Sequence, residues 1–139
     1  DYEPSFGTYD IYGDASADTA IVTYGRLFFE AAKAVKELPK HNINAKVLKL
    51  NRIKPVDPDA LKEAMNAKHI FFYEEGVRSG GIGEKFAAEL LQHGYKGCYD
   101  ITAVEDCFVK QAKVPELIKQ YKFDSESMVN KIVEKMTEV

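Results

Sequence analysis

The chain has 139 residues and a net charge of −3; 45% of its residues are hydrophobic and 29% are charged. That suits one domain with a real core and excludes a disordered chain or a low-complexity fibre. The acidic balance argues against a nucleic-acid partner, because phosphate binding needs a concentrated basic surface. The cysteines Cys98 and Cys107 are too few for a disulfide scaffold and read as thiols of a reducing cytoplasm. No apolar run approaches the ~20 residues that span a bilayer, so no membrane partner is expected. The start, Asp1-Tyr2-Glu3-Pro4, has no signal-peptide pattern and no initiator Met, which suggests a processed chain or a piece of a longer one.

Residues 1–19 are rich in Tyr, Asp, Gly, Ser and Thr and read as a leader or interdomain linker, with a short strand at Tyr9–Tyr12. Structure proper begins at Asp18, and residues 20–139 are expected to form the domain. Asp18–Tyr24 is short, partly β-branched and closed by Gly25, as a buried strand is. Leu27, Phe28, Ala31, Ala32, Val35 and Leu38 then recur at helical spacing, and Pro39 ends that helix. Ala45–Leu50 alternates as a second strand. Asp57 can cap a short helix from Pro58 to about Met65, with Pro58 at the first helical position. His69–Tyr73 is a near-continuous apolar run, expected of a strand covered on both faces. Glu74–Gly81 reads as a loop, Ile82–Gln92 as a helix and Cys98–Ala103 as a fourth strand. Helices at Pro115–Tyr121 and after a Ser125 cap close the chain. The alternation predicts a three-layer α/β/α domain with a mainly parallel sheet of four or five strands and room for one antiparallel edge strand.

The sharpest local feature is the Gly-rich stretch Arg78-Ser79-Gly80-Gly81-Ile82-Gly83 between a strand and a helix. Glycines let backbone approach a ligand, and free amides at a helix start favour an anion. As a dinucleotide fingerprint it fails, since the third small residue would fall on Phe86. A tight turn that docks the helix is the plainer reading. Glu74 and Glu75 end the third strand, where α/β domains bind ligands. Paired carboxylates can act as acid and base, but adjacent strand residues face opposite sides. One of them accepting amide hydrogen bonds from the Gly-rich turn, or making an interface ion pair, is the plainer alternative. Arg52-Ile53-Lys54-Pro55-Val56-Asp57 could hold a phosphate through Arg52 and Lys54, or form a rigid turn with Asp57 as a helix cap. His41, His69 and His93 show no metal-ligand spacing with the cysteines. Asp106 and Cys107 follow the fourth strand as further polar candidates.

Three segments together resemble one family. Ala20–Gly25 looks like the first strand of the C-terminal domain of transketolase-type thiamine diphosphate enzymes. Arg52–Asp57 resembles that family's basic-x-x-Lys-Pro-Leu-Asp turn. Tyr73-Glu74-Glu75-Gly76 followed by Gly80–Gly83 is similar to its Glu-Glu-…-Gly-Gly-x-Gly segment. All three agree in order and spacing across most of residues 20–92. The tail, with Asp106, Phe108, Leu117 and Tyr121–Asp124, is most similar to the 1-deoxy-D-xylulose-5-phosphate synthase branch. It departs in Glu105, where that branch often has Pro, and in Gln111-Ala112, where it often has His-Gly. Another transketolase or a 2-oxo acid dehydrogenase beta subunit is the alternative.

The resemblance implies a parent enzyme that condenses pyruvate with glyceraldehyde 3-phosphate for isoprenoid precursors, using thiamine diphosphate and Mg. It implies a Gly-Asp-Gly cofactor motif, which this chain lacks: Gly13-Asp14 is followed by Ala15. The expectation is a non-catalytic C-terminal domain with no cofactor of its own, inactive alone. It would brace the upstream domains of the same enzyme and contribute to a cytoplasmic homodimer. Glu74, Glu75, Arg78, Gly80, Gly81 and Gly83 would form an interface or anion loop, with Arg52, Lys54 and Asp57 as the turn. A free-standing anion- or nucleotide-binding module on Gly80–Gly83, and a small acid–base enzyme using Glu74 or Glu75, are the competing classes.

Overall fold

The computed structural model describes residues 7–104 and 114–137. Five strands, β1 (Tyr9–Gly13), β2 (Thr19–Tyr24), β3 (Ala45–Leu50), β4 (His69–Val77) and β5 (Cys98–Val104), form one sheet in the order β1-β3-β2-β4-β5. Strands β3, β2, β4 and β5 are parallel, and β1 lies antiparallel on the β3 edge. Among the described residues five α-helices flank the sheet: α1 (Leu27–Glu37), followed by a 3-10 turn at Leu38–His41, α2 (Pro58–Met65), α3 (Ile82–Gln92), α4 (Val114–Gln120) and α5 (Ser125–Thr137). Among the described residues no helix is long and apolar enough to cross a membrane.

Strand alternation builds two cores. Ile21, Val47, Phe71 and Tyr73 point to one face, where they pack with Leu27, Phe28, Ala31 and Val35 of α1 and Met128 and Ile132 of α5. Val22, Leu48, Ile70 and Phe72 point to the other, against Leu61 of α2 and Phe86 and Leu90 of α3. Both faces are covered, which is why the central strands read as near-continuous apolar runs. Lys46 belongs to the second face and is fully buried. Its Nζ donates to Ala15 O at 2.8 Å and Glu63 O at 3.0 Å, tying the link between β1 and β2 to α2.

The predicted elements recur with two corrections. Glu74–Val77 is not loop: β4 continues to Val77, which pairs with Val104 after an irregularity beyond Tyr73. β5 is long enough to keep pairing, and its backbone overrides the turn-like composition. Ser125 is not the cap of α5 but its first residue. Asp124 caps the helix, accepting from the Ser127 amide at 3.1 Å and the Ser127 hydroxyl at 2.6 Å. The Ser125 amide instead donates to Glu30 Oε1 at 3.0 Å.

Candidate functional site

The parallel sheet changes winding direction between β2 and β4, because β3 lies to one side of β2 and β4 and β5 to the other. The carboxyl ends of the strands at such a point are where open α/β sheets bind ligands. Tyr24 and Glu74 stand there, each one residue beyond the parallel pair Thr23–Tyr73 and each on the α2/α3 face. Tyr24 Oη donates to Glu74 Oε2 at 2.8 Å. The Ile82 amide donates to the same oxygen at 3.2 Å, and the Gly83 amide to Oε1 at 2.8 Å. Glu74 is only 1% exposed. A buried carboxylate is tolerated here because it faces the positive end of α3 and accepts three hydrogen bonds.

The helix reaches this carboxylate because its second residue is glycine. A Cβ at Gly83 would lie 3.0 Å from Glu74 Oε1, 3.1 Å from Phe72 Cδ1 and 3.2 Å from Ile101 Cγ2. Tyr99 Oη completes the contact by donating to Gly83 O at 2.6 Å. Burial, then the hydrogen bond to Glu74, pushes the Tyr24 hydroxyl well above the ordinary tyrosine range. Burial, then the Glu74 charge, does the same to Tyr99. Both phenols therefore keep their protons and donate at neutral pH.

The rest of the Gly-rich loop is also engaged internally. Gly80, at φ +72°, sends its amide to Glu84 Oε1 at 2.8 Å, as in a capping box shifted by one residue. The Gly81 amide donates to Arg78 O at 3.1 Å. Arg78 Nη2 donates to Ile101 O at 2.7 Å, fastening the loop to β5. All four amides of Gly80–Gly83 thus have acceptors within the chain, two of them on Glu74. The anion that the loop chemistry calls for is the protein's own carboxylate.

Glu75 points the opposite way, as strand alternation requires. Its carboxylate takes Arg26 Nε at 2.7 and 2.9 Å and also accepts from Arg26 Nη2. The hydrogen bonds from Arg26 to Glu75 hold the guanidinium above its ordinary range. The two carboxylates are therefore not brought together at one site.

In the turn, Arg52 Nε donates to Pro55 O at 3.0 Å, and Asp57 Oδ1 caps α2 by accepting the Asp59 amide at 2.8 Å. The Thr8 hydroxyl at 2.5 Å, then the Asp59 amide, keep the Asp57 carboxyl below its ordinary range. Arg52 and Asp57 thus serve the turn itself. Of the turn's three charged candidates, only Lys54 lines the shallow cleft of about 360 Å³ that it shares with the Gly-rich loop; the cleft's walls include Tyr24, Ile53, Ser79, Gly80 and Lys85. Asp106 and Cys107 lie outside the described residues. Among the described residues no three His, Cys, Asp or Glu side chains are grouped to hold a metal ion. Sequence reasoning missed Tyr24, Arg26 and Tyr99. The only signal for Tyr24 is its even position beside Ala20 and Val22, which places it on a face but names no partner.

A family model described as transketolase, C-terminal domain, matches residues 11–128. This chain belongs to the transketolase C-terminal domain family. The transketolase C-terminal domain described here is 27% identical over 128 residues to the 1-deoxy-D-xylulose-5-phosphate synthase of Geobacillus sp. (strain WCH70), covering 91% of this chain and 20% of that protein. A Methanocaldococcus jannaschii protein described as a transketolase C-terminal section is 28% identical over 119 residues, covering 86% of this chain and 37% of its own length. The solved structure of a split gene transketolase, an inactive beta4 tetramer, superposes with a TM-score of 0.77 at 26% identity, covering 91% of this chain and 41% of that one. The domain thus spans between a fifth and about two fifths of the proteins it matches.

Proposed function

We propose that this chain is the non-catalytic C-terminal domain of a thiamine diphosphate-dependent enzyme of the 1-deoxy-D-xylulose-5-phosphate synthase type. It braces the upstream domains, takes part in a cytoplasmic homodimer and holds no cofactor itself. The observation that carries this reading is the filled switch point. Glu74 takes the Ile82 and Gly83 amides, and Tyr24 closes over it. A Mg-diphosphate group does not fit these residues, because the donors that would cradle it are committed to a buried carboxylate. A free-standing anion-binding module loses its warrant for the same reason. Glu74 also lacks the exposure that an acid–base catalyst needs, and Glu75 is held by Arg26.

The reading makes the Gly-rich loop a structural clasp rather than a site. The chemistry of the parent enzyme, with pyruvate as donor and glyceraldehyde 3-phosphate as acceptor, belongs to the domains this chain supports. The test is calorimetry of the chain with thiamine diphosphate and Mg, followed by assay alone and with the remainder of the enzyme. The expected outcome is no heat of binding and no turnover alone, and condensation only in the assembled enzyme. Cofactor binding or turnover by the isolated chain overturns the reading. Sedimentation of the assembled enzyme checks the homodimer.

A further inference from the structure

We infer that the groove between the Arg52–Asp57 turn and α3 docks an extended polypeptide segment from the remainder of the enzyme, one presenting an apolar side chain next to a carboxylate. This rests on the reading of the chain as one domain of a larger assembly. The groove has a volume of about 600 Å³. Ile53 and Val56 form one wall, and α3 forms the other. It is continuous with the cleft above Glu74, since Ile53, Lys54, Ile82 and Lys85 line both. Leu61, Ile82 and Phe86 are buried and form the groove's floor, so the apolar surface left in water is that of Ile53, Pro55, Val56 and Pro58 on the turn side.

Charge defines the occupant. Lys54 and Lys85 are exposed at the end of the groove nearest the Gly-rich loop, and neither amine has an ion pair or hydrogen bond among the described residues. The nearby Asp57 carboxylate is already taken by Thr8 and the Asp59 amide. Glu74, although it lines the adjoining cleft, has its oxygens engaged by Tyr24 and the α3 amides. At the other end of the groove stand Glu89 and His93. The potential therefore runs from positive at the start of α3 to mixed at its end. A docked segment places its carboxylate over Lys54 and Lys85 and its apolar side chain against the half-buried Ile53 and Val56.

Size favours a polypeptide over a small anion. The α3 wall from Ile82 to His93 is about 16 Å long at 1.5 Å per residue, which matches about five residues of extended chain at 3.3 Å each.

The experiment compares the isolated chain with the assembled enzyme by lysine-reactive footprinting and by assembly affinity. Lys54 and Lys85 are expected to label several-fold more slowly in the assembly. The double charge reversal Lys54→Glu/Lys85→Glu is expected to weaken assembly roughly tenfold and to abolish its salt dependence. The Lys54→Arg/Lys85→Arg variant is expected to assemble as the unmodified chain does. Both positions are exposed, and an unchanged thermal midpoint establishes that the variants fold. If the enzyme assembles normally while the lysines label equally and the reversal has no effect, the groove proposal is overturned and the domain reading stands. If the chain never assembles with further domains, both fall. Protection of the lysines in the isolated chain by inorganic phosphate, without any effect of the variants on assembly, overturns the proposal in favour of a small-anion site.

Discussion

Gly83 and Glu74 are matched to each other: the Gly83 amide donates to Glu74 Oε1 at 2.8 Å, and a Cβ on Gly83 would lie 3.0 Å from that oxygen. The hydrogen bond exists because the side chain does not. A carboxylate on β4 and a glycine on α3 thus form one device that holds the helix at a fixed height over the sheet.

Gly83→Ala is expected to lower stability despite alanine's better helix propensity. That propensity favours alanine by up to ~1 kcal/mol. Against it, Glu74, Phe72 and Ile101 crowd the new methyl from two strands; Phe72 and Ile101 are held by the core and Glu74 by its hydrogen bonds to Tyr24 and Ile82. Overpacking of this kind costs about 1–3 kcal/mol, so the net change is a loss. Urea unfolding of the variant checks it, and an unchanged midpoint would contradict the clasp.

Replacing Glu74 should cost more than removing the hydroxyl of its partner Tyr24. Glu74→Ala strands the Ile82 and Gly83 amides and the Tyr24 hydroxyl, a loss of about 3 kcal/mol. Tyr24→Phe removes one donor and is expected to cost about 1 kcal/mol. The double variant should lose less than the sum, because the Tyr24–Glu74 contact is then counted once. Additive losses in a double-mutant cycle would show that the two residues are not coupled.

Alkali is expected to unfold the domain through its tyrosines. Burial raises Tyr24, Tyr73, Tyr95 and Tyr99 above the ordinary value of 10.0, with Tyr95 pushed up to about 12. Below pH 10.0 both folded and unfolded chains keep these protons, and the contribution to stability is fully present. As pH rises past that value the unfolded chain releases protons that the fold retains, so stability falls until the folded groups titrate as well. Tyrosinate absorbance and circular dichroism should therefore change together above pH 10.0. Smooth titration of all tyrosines with the fold intact would contradict the burial.

Lys46 is expected to matter through its two carbonyl partners rather than through a charge pair. Lys46→Met keeps much of the side-chain volume but leaves Ala15 O and Glu63 O without their donor. The expected loss is about 1–3 kcal/mol, smaller than that of Lys46→Ala, which also opens a cavity. Thermal unfolding of both variants checks the order.

Much of this architecture was legible in the chain itself. The helical spacing of Leu27, Phe28, Ala31 and Val35, the apolar run from His69 to Tyr73 and the Asp57-Pro58 start of α2 are local signals, and local periodicity sets local structure. The extent of β4 was not legible. Gly76, Ser79 and Gly80 read as loop, and only the partner strand with Val104 draws Val77 into the sheet. The motif segments Arg52–Asp57 and Gly80–Gly83 could be recognised as a family pattern. Their meeting across one cleft could not, since 22 residues lie between them.

The sequence by itself determined the order of strands and helices, the family, and the fact that Glu74 and Glu75 must face opposite ways. Tertiary structure alone decided what each carboxylate does. Glu74 meets Tyr24 across 50 residues and takes the start of α3, while Glu75 turns to Arg26. The physical reason is that a helix N-terminus attracts whichever negative charge the fold brings nearest. Strand pairing between β2 and β4 sets that distance, and no local pattern encodes it. The stretch whose glycines suggested a cradle for a foreign anion closes instead on a carboxylate from the neighbouring strand.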